Sequence, residues 1–176
     1  MHLRSWQDAD RAPFAAMSAD LDVMAHLIPM PTREMSDAWI DRQQAHQAAH
    51  GFCFWAVEHR ETGDFIGSIG LRHLPYTAHF TPAVEIGWRL ATRFWGQGYA
   101  PEAAAASLRF SFDTLGIDEI VAITTPQNIN SQRVMHKLGM TRDADDDFDH
   151  PLTPQGHPLR RCVLYRLGRG AWLAAR

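Results

Sequence analysis

Apolar residues recur along the chain in two spacings, which predict a mixture of strands and helices. Short runs rich in aromatic and β-branched residues indicate strands, and longer stretches with apolar residues three or four apart indicate helices. Glycines at the ends of three helical stretches are typical of C-terminal caps. The predicted strands cover residues 2–6, 52–58, 65–71, 84–90, 119–124 and 162–167, and the predicted helices cover residues 8–17, a short piece within 20–35, 32–47, 100–115 and a stretch ending at 138. Asn130 or Ser131 is the expected N-cap of the last of these helices.

The stretch from Ala83 to Ala106 organises the rest of the chain. It reads as a buried strand, a turn with two glycines, and an alanine-rich helix from about Ala100. The first N–H groups of such a helix have no intrahelical partners and form a ready site for an anion such as a pyrophosphate. Gly96 and Gly98 lack the Cβ atoms that would keep a phosphate away from the backbone. A purely structural strand-to-helix turn is the alternative.

Two common phosphate motifs do not fit this turn. The dinucleotide fingerprint requires a third glycine where this chain has Pro101, which disfavours a nucleotide-dependent oxidoreductase, and the P-loop requires a lysine that is absent. The pattern Arg93-x-x-Gly96-x-Gly98 instead resembles the (Gln/Arg)-x-x-Gly-x-(Gly/Ala) motif of the GNAT superfamily of N-acetyltransferases. In that family the motif holds the pyrophosphate of acetyl-CoA.

Two further segments carry the same resemblance and extend it from Leu3 to Leu167. The first is similar to the strand-5-to-helix-4 segment of the RimJ/RimL-like branch, and the second to the C-terminal hairpin of that branch. The segments are Asn128-x-x-Ser131-x-Arg133-x-x-x-Lys137-Leu138-Gly139-Met140, and His150-Pro151 with Gly156-His157-Pro158-Leu159 and the strand CVLYRL. Met140 departs from the phenylalanine that is usual in the branch.

The resemblance implies an α+β fold in a single domain spanning residues 1–176. A mostly antiparallel mixed sheet would carry helices on both faces, and its strands 84–90 and 119–124 would splay apart around acetyl-CoA. Backbone groups of Gly87 to Leu90 would pair with the pantetheine amides, and Asn128 would hydrogen-bond the pantetheine arm. The implied acetyl-CoA-binding residues are Ile86, Gly87, Trp88, Arg89, Leu90, Arg93, Trp95, Gly96, Gln97, Gly98, Tyr99, Ala100, Asn128, Ser131 and Arg133.

Acetyl transfer to a primary amine requires a neutral amine, hydrogen-bond donors for the oxyanion and a proton for the leaving thiolate. Glu85, at the start of the central predicted strand, is the candidate base. Its alternatives are an ion pair with Arg72 or Arg89, or a water molecule that acts through His73, His79 or His150.

By its match to a serine of the RimJ/RimL-like branch, Ser131 is the candidate hydrogen-bond donor to the leaving sulfur, and its hydroxyl alternatively caps the helix that follows. Many relatives carry a tyrosine four residues before the glycine that ends this helix, where this chain has Met135. That departure motivates a second hypothesis, a non-catalytic acyl-CoA-binding or regulatory module with the same fold. The amine acceptor, a protein N-terminus or a small molecule, is not specified by the sequence.

Composition limits the remaining classes of function. The net charge of -3 disfavours a nucleic-acid surface, and no apolar run reaches the length of a membrane span. Cys53 and Cys162 stand alone in apparent strands, as expected of core residues in a reducing cytoplasm. The segment Asp143 to Asp149 is expected to be mostly solvated. Monomer and homodimer are both compatible with the sequence.

His46 and His50 are four residues apart on a predicted helix and could share a metal ion. No third ligand is apparent, and the HExxH pattern is missing. We therefore expect a solvated helix face and no metal.

Overall fold

The computed structural model describes residues 1–175 as a twisted sheet with helices on both of its faces. Eight strands follow in chain order: β1 His2–Arg4, β2 Phe54–Glu58, β3 Phe65–His73, β4 Val84–Leu90, β5 Glu119–Thr124, β6 Thr141–Arg142, β7 Phe148–Asp149 and β8 Arg161–Gly168. The helices are α1 Arg11–Ala19, α2 Leu21–Met24, α3 Arg33–His50, α4 Tyr99–Arg109, α5 Ile129–Lys137 and α6 Arg169–Ala174.

The strands lie in the order β1-β2-β3-β4-β5-β8-β6, with β7 paired to β8 outside this path. Neighbouring strands are antiparallel except β4 and β5, which are parallel. The connection between those two passes through α4, because a parallel pair requires a crossover rather than a tight hairpin. The mixed, mostly antiparallel α+β sheet predicted from the sequence is confirmed.

Each face of the sheet has its own core. On one face, α4 and α5 pack Leu108 and Met135 against the central strands, where both side chains are buried. On the other face, α1 to α3 enclose Trp6, Phe14 and Ile40 in an aromatic cluster. The β4 strand contributes alternate residues to both faces, so it lies between the two cores.

Local sequence signals account for most helix ends. The Thr32 hydroxyl accepts a hydrogen bond from the Met35 N–H at 3.2 Å and starts α3. The last residue of α3 is His50, three residues beyond the predicted end at 47, and Gly51, with φ of 80°, is the C-cap. The alanine-rich helix continues after α4 as a π-helical turn, Phe110–Thr114, before Gly116. None of the helices within residues 1–175 combines the length and apolarity needed to cross a bilayer.

One prediction needs correction. The N-cap of α5 is Asn128, not Asn130 or Ser131, because the Asn128 side chain accepts a hydrogen bond from the Ser131 N–H at 3.1 Å. The acidic segment is mostly exposed, as predicted, and in addition Asp146 pairs with Arg166 at 2.7 Å and Asp147 pairs with Arg142. Cys53 and Cys162 are buried free thiols, as predicted.

Candidate active site

A gap opens between β4 and β5 because the two strands pair over only two positions. Val84 lies opposite Ile120 and Glu85 opposite Val121, and beyond these pairs the strands no longer contact each other as a ladder. From Ile86 onward the β5-facing edge of β4 therefore has no strand partner. A cavity of about 780 Å³ occupies this gap and continues across the α1–α3 face of the sheet. That volume is within the range of small-molecule binding sites.

The glycine turn forms one end of the cavity. Gly96 has φ of 73° and Gly98 has φ of 86°, and a Cβ built on either residue meets no other atom within 4 Å. The α4 helix begins at Tyr99, one residue before the predicted start, and has no side-chain cap. Its first N–H groups therefore face open space, in the arrangement that favours an anion.

The acetyl-CoA-binding residues implied by the resemblance all line this cavity except Arg93 and Gln97. Arg93 is exposed and lies over the Phe94 ring at 4.7 Å, and Gln97 donates a hydrogen bond to the Arg93 carbonyl at 2.8 Å. The backbone of β4 is less free than expected, because the Leu90 carbonyl accepts the Trp95 indole N–H at 2.8 Å.

The start of α5 provides the polar side of the gap. Asn128 caps the helix with its side-chain oxygen and donates its amide N–H to the Thr124 hydroxyl at 3.0 Å. Ser131 lines the cavity, and its hydroxyl makes no hydrogen bond within residues 1–175, so the capping role proposed for it belongs to Asn128. Met135 is 1% exposed and offers no proton donor at the position where many relatives have tyrosine.

Glu85 lies at the point where β4 and β5 separate. Its side chain is 13% exposed and forms an ion pair with Arg72 at 2.9 Å, and the two residues are direct partners in the β3–β4 register. Arg72 is thus the partner of Glu85, and Arg89 is not. Both members of the pair line the cavity.

The predicted histidines are placed unequally around Glu85. His79 is exposed and pairs with Asp146 at 3.2 Å. His150 is half-buried beside Tyr76, and burial lowers its pKa while the nearby Glu85 raises it. Neither His79 nor His150 lines the cavity. His26, which was not predicted from the sequence, lines it. The His26 ring contacts the Thr125 hydroxyl at 3.0 Å and so ties the segment after α2 to the end of β5.

The histidine pair on α3 has a third member. His73, at the end of β3, joins His46 and His50, with nitrogen atoms of all three rings within 4.8 Å of one another. The expected solvated helix face is therefore a three-histidine cluster. His46 Nε2 already accepts the His73 backbone N–H at 3.1 Å, and its Nδ1 lies 2.7 Å from the Phe52 carbonyl oxygen. The hydrogen bonds of His46 are thus satisfied by the protein, and the absence of a metal stays a prediction.

The half of the cavity that lies against α2 and α3, here called the helix-side half, was mostly not predicted from the sequence. Its wall consists of side chains from α2 and the segment after it, from α3 and from the strands that face them, namely Val23, His26, Leu27, Trp39, Phe54, Ser68 and Arg72. These residues are far apart in sequence and carry no common motif. The one signal available was charge, because Arg72, Glu85 and Arg89 are ionisable residues inside strands, where such residues are rarely buried without a partner.

Comparisons with known proteins agree with this geometry. The acetyltransferase (GNAT) domain family model matches residues 1–141. An uncharacterized Bacillus subtilis protein, YkkB, is 33% identical over 141 residues, which cover 80% of this chain and 81% of that protein. The crystal structure of an acetyltransferase from Agrobacterium tumefaciens superposes with a TM-score of 0.73 at 29% identity, covering 94% of this chain and 88% of that one.

A more distant neighbour shows the same fold at low identity. The spermidine N-acetyltransferase from Vibrio cholerae, solved in complex with CoA and spermine, has a TM-score of 0.75 at 14% identity. The likeness covers 98% of this chain and 97% of that chain. On the family match, this chain belongs to the acetyltransferase (GNAT) domain family and is an acetyltransferase.

Proposed function

We propose that the protein is an acetyl-CoA-dependent N-acetyltransferase of the RimJ/RimL-like branch, which transfers an acetyl group to a primary amine by direct attack on the thioester. The observation that carries this proposal is the gap between β4 and β5, which ends at the uncapped start of α4. An unpaired strand edge and an anion-binding turn at opposite ends of one cavity suit a long amide-containing chain that ends in a pyrophosphate. The segment from Asn128 to Met140 supports the branch.

The proposed roles follow from position. Glu85, at the closed end of the gap, takes the proton of the attacking amine directly or through water, and Arg72 holds its carboxylate in place. The Ser131 hydroxyl does not cap α5 and can donate a hydrogen bond to the leaving sulfur. Two roles left open by the sequence are thereby divided between Asn128, which caps the helix, and Ser131.

A non-catalytic acyl-CoA-binding module is the second candidate. The buried Met135 favours it, because no tyrosine hydroxyl is present there to protonate the thiolate. This candidate predicts acetyl-CoA binding without turnover.

An acceptor screen that follows the release of free CoA thiol separates the two candidates. The panel contains amino acids, polyamines and peptides with varied N-terminal residues, and product mass confirms that the amine carries the acetyl group. We expect amine-dependent thiol release in the wild-type protein and its loss in Glu85→Gln. Tight acetyl-CoA binding in calorimetry, with no thiol release above the rate without amine for any acceptor, would establish the non-catalytic module instead.

A further inference from the structure

An arginine that has no ion-pair or hydrogen-bond partner within residues 1–175 lies in the wall of the helix-side half of the cavity. Arg89 is on β4 and faces α1 and α3, on the same side of the sheet as Glu85. Its Nη1 atom is fully buried and has no hydrogen-bond partner. Within residues 1–175, Arg89 forms no ion pair and donates no side-chain hydrogen bond. Its other two nitrogens, Nε and Nη2, are not fully buried and remain in contact with solvent.

Aromatic rings hold this guanidinium in place but do not neutralise it. Its Cζ atom lies 5.5 Å from the Phe14 ring centroid and 5.3 Å from the Trp39 ring centroid. Cation–π contacts recover only part of what a charge loses when it leaves water. Burial lowers the pKa of Arg89 to about 10, with a smaller contribution from Arg72. The group is therefore still protonated at neutral pH and lacks a counter-ion.

A second unpaired polar group lies beside it. Ser68 is the direct cross-strand partner of Arg89, and its buried hydroxyl has no hydrogen-bond partner. Side chains at paired positions lie on the same face with Cβ atoms about 5 Å apart. Both residues line the cavity. Buried polar groups are normally satisfied, so two adjacent unpaired donors indicate a ligand that supplies the acceptors.

Among residues 1–175, no carboxylate fills this role. Glu85 and Asp22 are the acidic residues in the cavity wall within residues 1–175. Glu85 is paired with Arg72, and Asp22 is exposed and forms no ion pair. Around Arg89 and Ser68 the cavity wall thus holds a buried guanidinium without a counter-ion and an adjacent hydroxyl, whereas Arg133 and Lys137, which also line the cavity, are exposed on α5. This set matches a singly charged carboxylate better than a doubly charged phosphate, because one guanidinium neutralises the carboxylate in full and would leave a second negative charge of the phosphate uncompensated away from water.

We propose that the amine acceptor carries a carboxylate group, which Arg89 and Ser68 bind in the helix-side half of the cavity. This inference rests on the proposed function and narrows its substrate to amino-acid-like amines. It also separates this protein from polyamine acetylation, because a cationic substrate would meet an unpaired arginine.

The test compares amines that differ only in the carboxylate. Alanine is compared with alaninamide, and 4-aminobutyrate with its amide, with rates referred to the free-amine concentration and spermidine as the cationic comparison. A hydrogen bond to a charged group is worth a factor of roughly ten to a hundred. We expect kcat/KM for at least one carboxylate to exceed that of its amide by this factor, and Arg89→Gln to abolish the preference.

Three variants separate recognition from folding. Ser68→Ala should reduce the preference less than Arg89→Gln, and Arg89→Lys should retain part of it because the charge remains. Arg93→Gln removes an exposed arginine near the glycine turn, outside the cavity wall, and should leave the carboxylate-to-amide ratio unchanged. Thermal melting of each variant shows whether the fold persists.

Two outcomes overturn the inference while leaving the proposed function standing. One is equal kcat/KM for the carboxylate and its amide, and the other is a preference that survives Arg89→Gln. If no amine is acetylated, the proposed function fails. The carboxylate subsite is then tested separately, by calorimetric measurement of the binding of each carboxylate and of its amide. Carboxylate binding that exceeds amide binding and disappears in Arg89→Gln supports the subsite, and equal binding refutes it.

Discussion

Replacing Gly98 by valine separates backbone strain from loss of the ligand site. Gly98 has φ of 86°, and a Cβ placed on this residue meets no other atom within 4 Å, so the side chain enters open space and clashes with nothing in the protein. The folding cost is then the left-handed backbone alone, about 1–3 kcal/mol. For a chain of this size that lowers the melting temperature by roughly 2–12 °C.

The effect on ligand binding should be much larger. Tyr99 and Ala100 supply the free N–H groups at the start of α4, because Pro101 has none. We expect the valine side chain to fill the space in front of these two N–H groups. Loss of two hydrogen bonds to a charged phosphate, at about 1.5–3 kcal/mol each, weakens acetyl-CoA binding by roughly 10² to 10⁴. Isothermal titration calorimetry measures the dissociation constant directly.

Gly51→Val is the matched control. Gly51 has φ of 80° and equally open surroundings, but it ends α3 and does not line the cavity. It should lose the same stability and keep its affinity for acetyl-CoA. If Gly98→Val and Gly51→Val bind acetyl-CoA equally well, the turn is purely structural and the reasoning is wrong.

The other predictions concern α5, the base, Arg93 and the thiols. Asn128→Ala should lose about 1 kcal/mol of stability as a helix cap and bind acetyl-CoA up to about tenfold more weakly, whereas Asn130→Ala, at an exposed position, should melt like wild type. Glu85→Gln should lower the rate by ~10²–10⁴ below about pH 8 and recover at higher pH, and Arg72→Gln, which breaks the same ion pair but keeps the carboxylate, should not show this recovery at high pH. Arg93→Ala should weaken acetyl-CoA binding less than about tenfold, because the side chain is exposed. Burial raises the pKa of Cys53 to about 12 and that of Cys162 to about 11, so a thiol reagent at neutral pH should label them only after denaturation, and rapid labelling of the native protein would contradict their burial.

The sequence predicted the parts of the molecule that short-range rules determine. The strand, glycine turn and helix around Gly98 were correct because each element has its own local signal. The same rules failed at the start of α5, since Asn128, Asn130 and Ser131 are all favourable caps and the sequence alone does not rank them. The choice depends on Thr124, which holds the Asn128 amide from the end of β5.

Features made by strand register and by packing between distant elements were not predictable from one sequence. His73 joins the α3 histidines only because β3 ends beside the C-terminal end of that helix. The unpaired state of Arg89 depends on the β3–β4 register, which places Ser68 opposite it and gives Arg72 to Glu85. Such contacts span tens of residues, and local patterns contain no information about them.

The most direct test of the account is a crystal structure of the wild-type protein with CoA. The account predicts the pantetheine chain along the free edge of β4, the pyrophosphate at the backbone of Gly96 to Ala100, and the sulfur within hydrogen-bond distance of the Ser131 hydroxyl. CoA bound elsewhere on the protein, with the gap between β4 and β5 unoccupied, would contradict it.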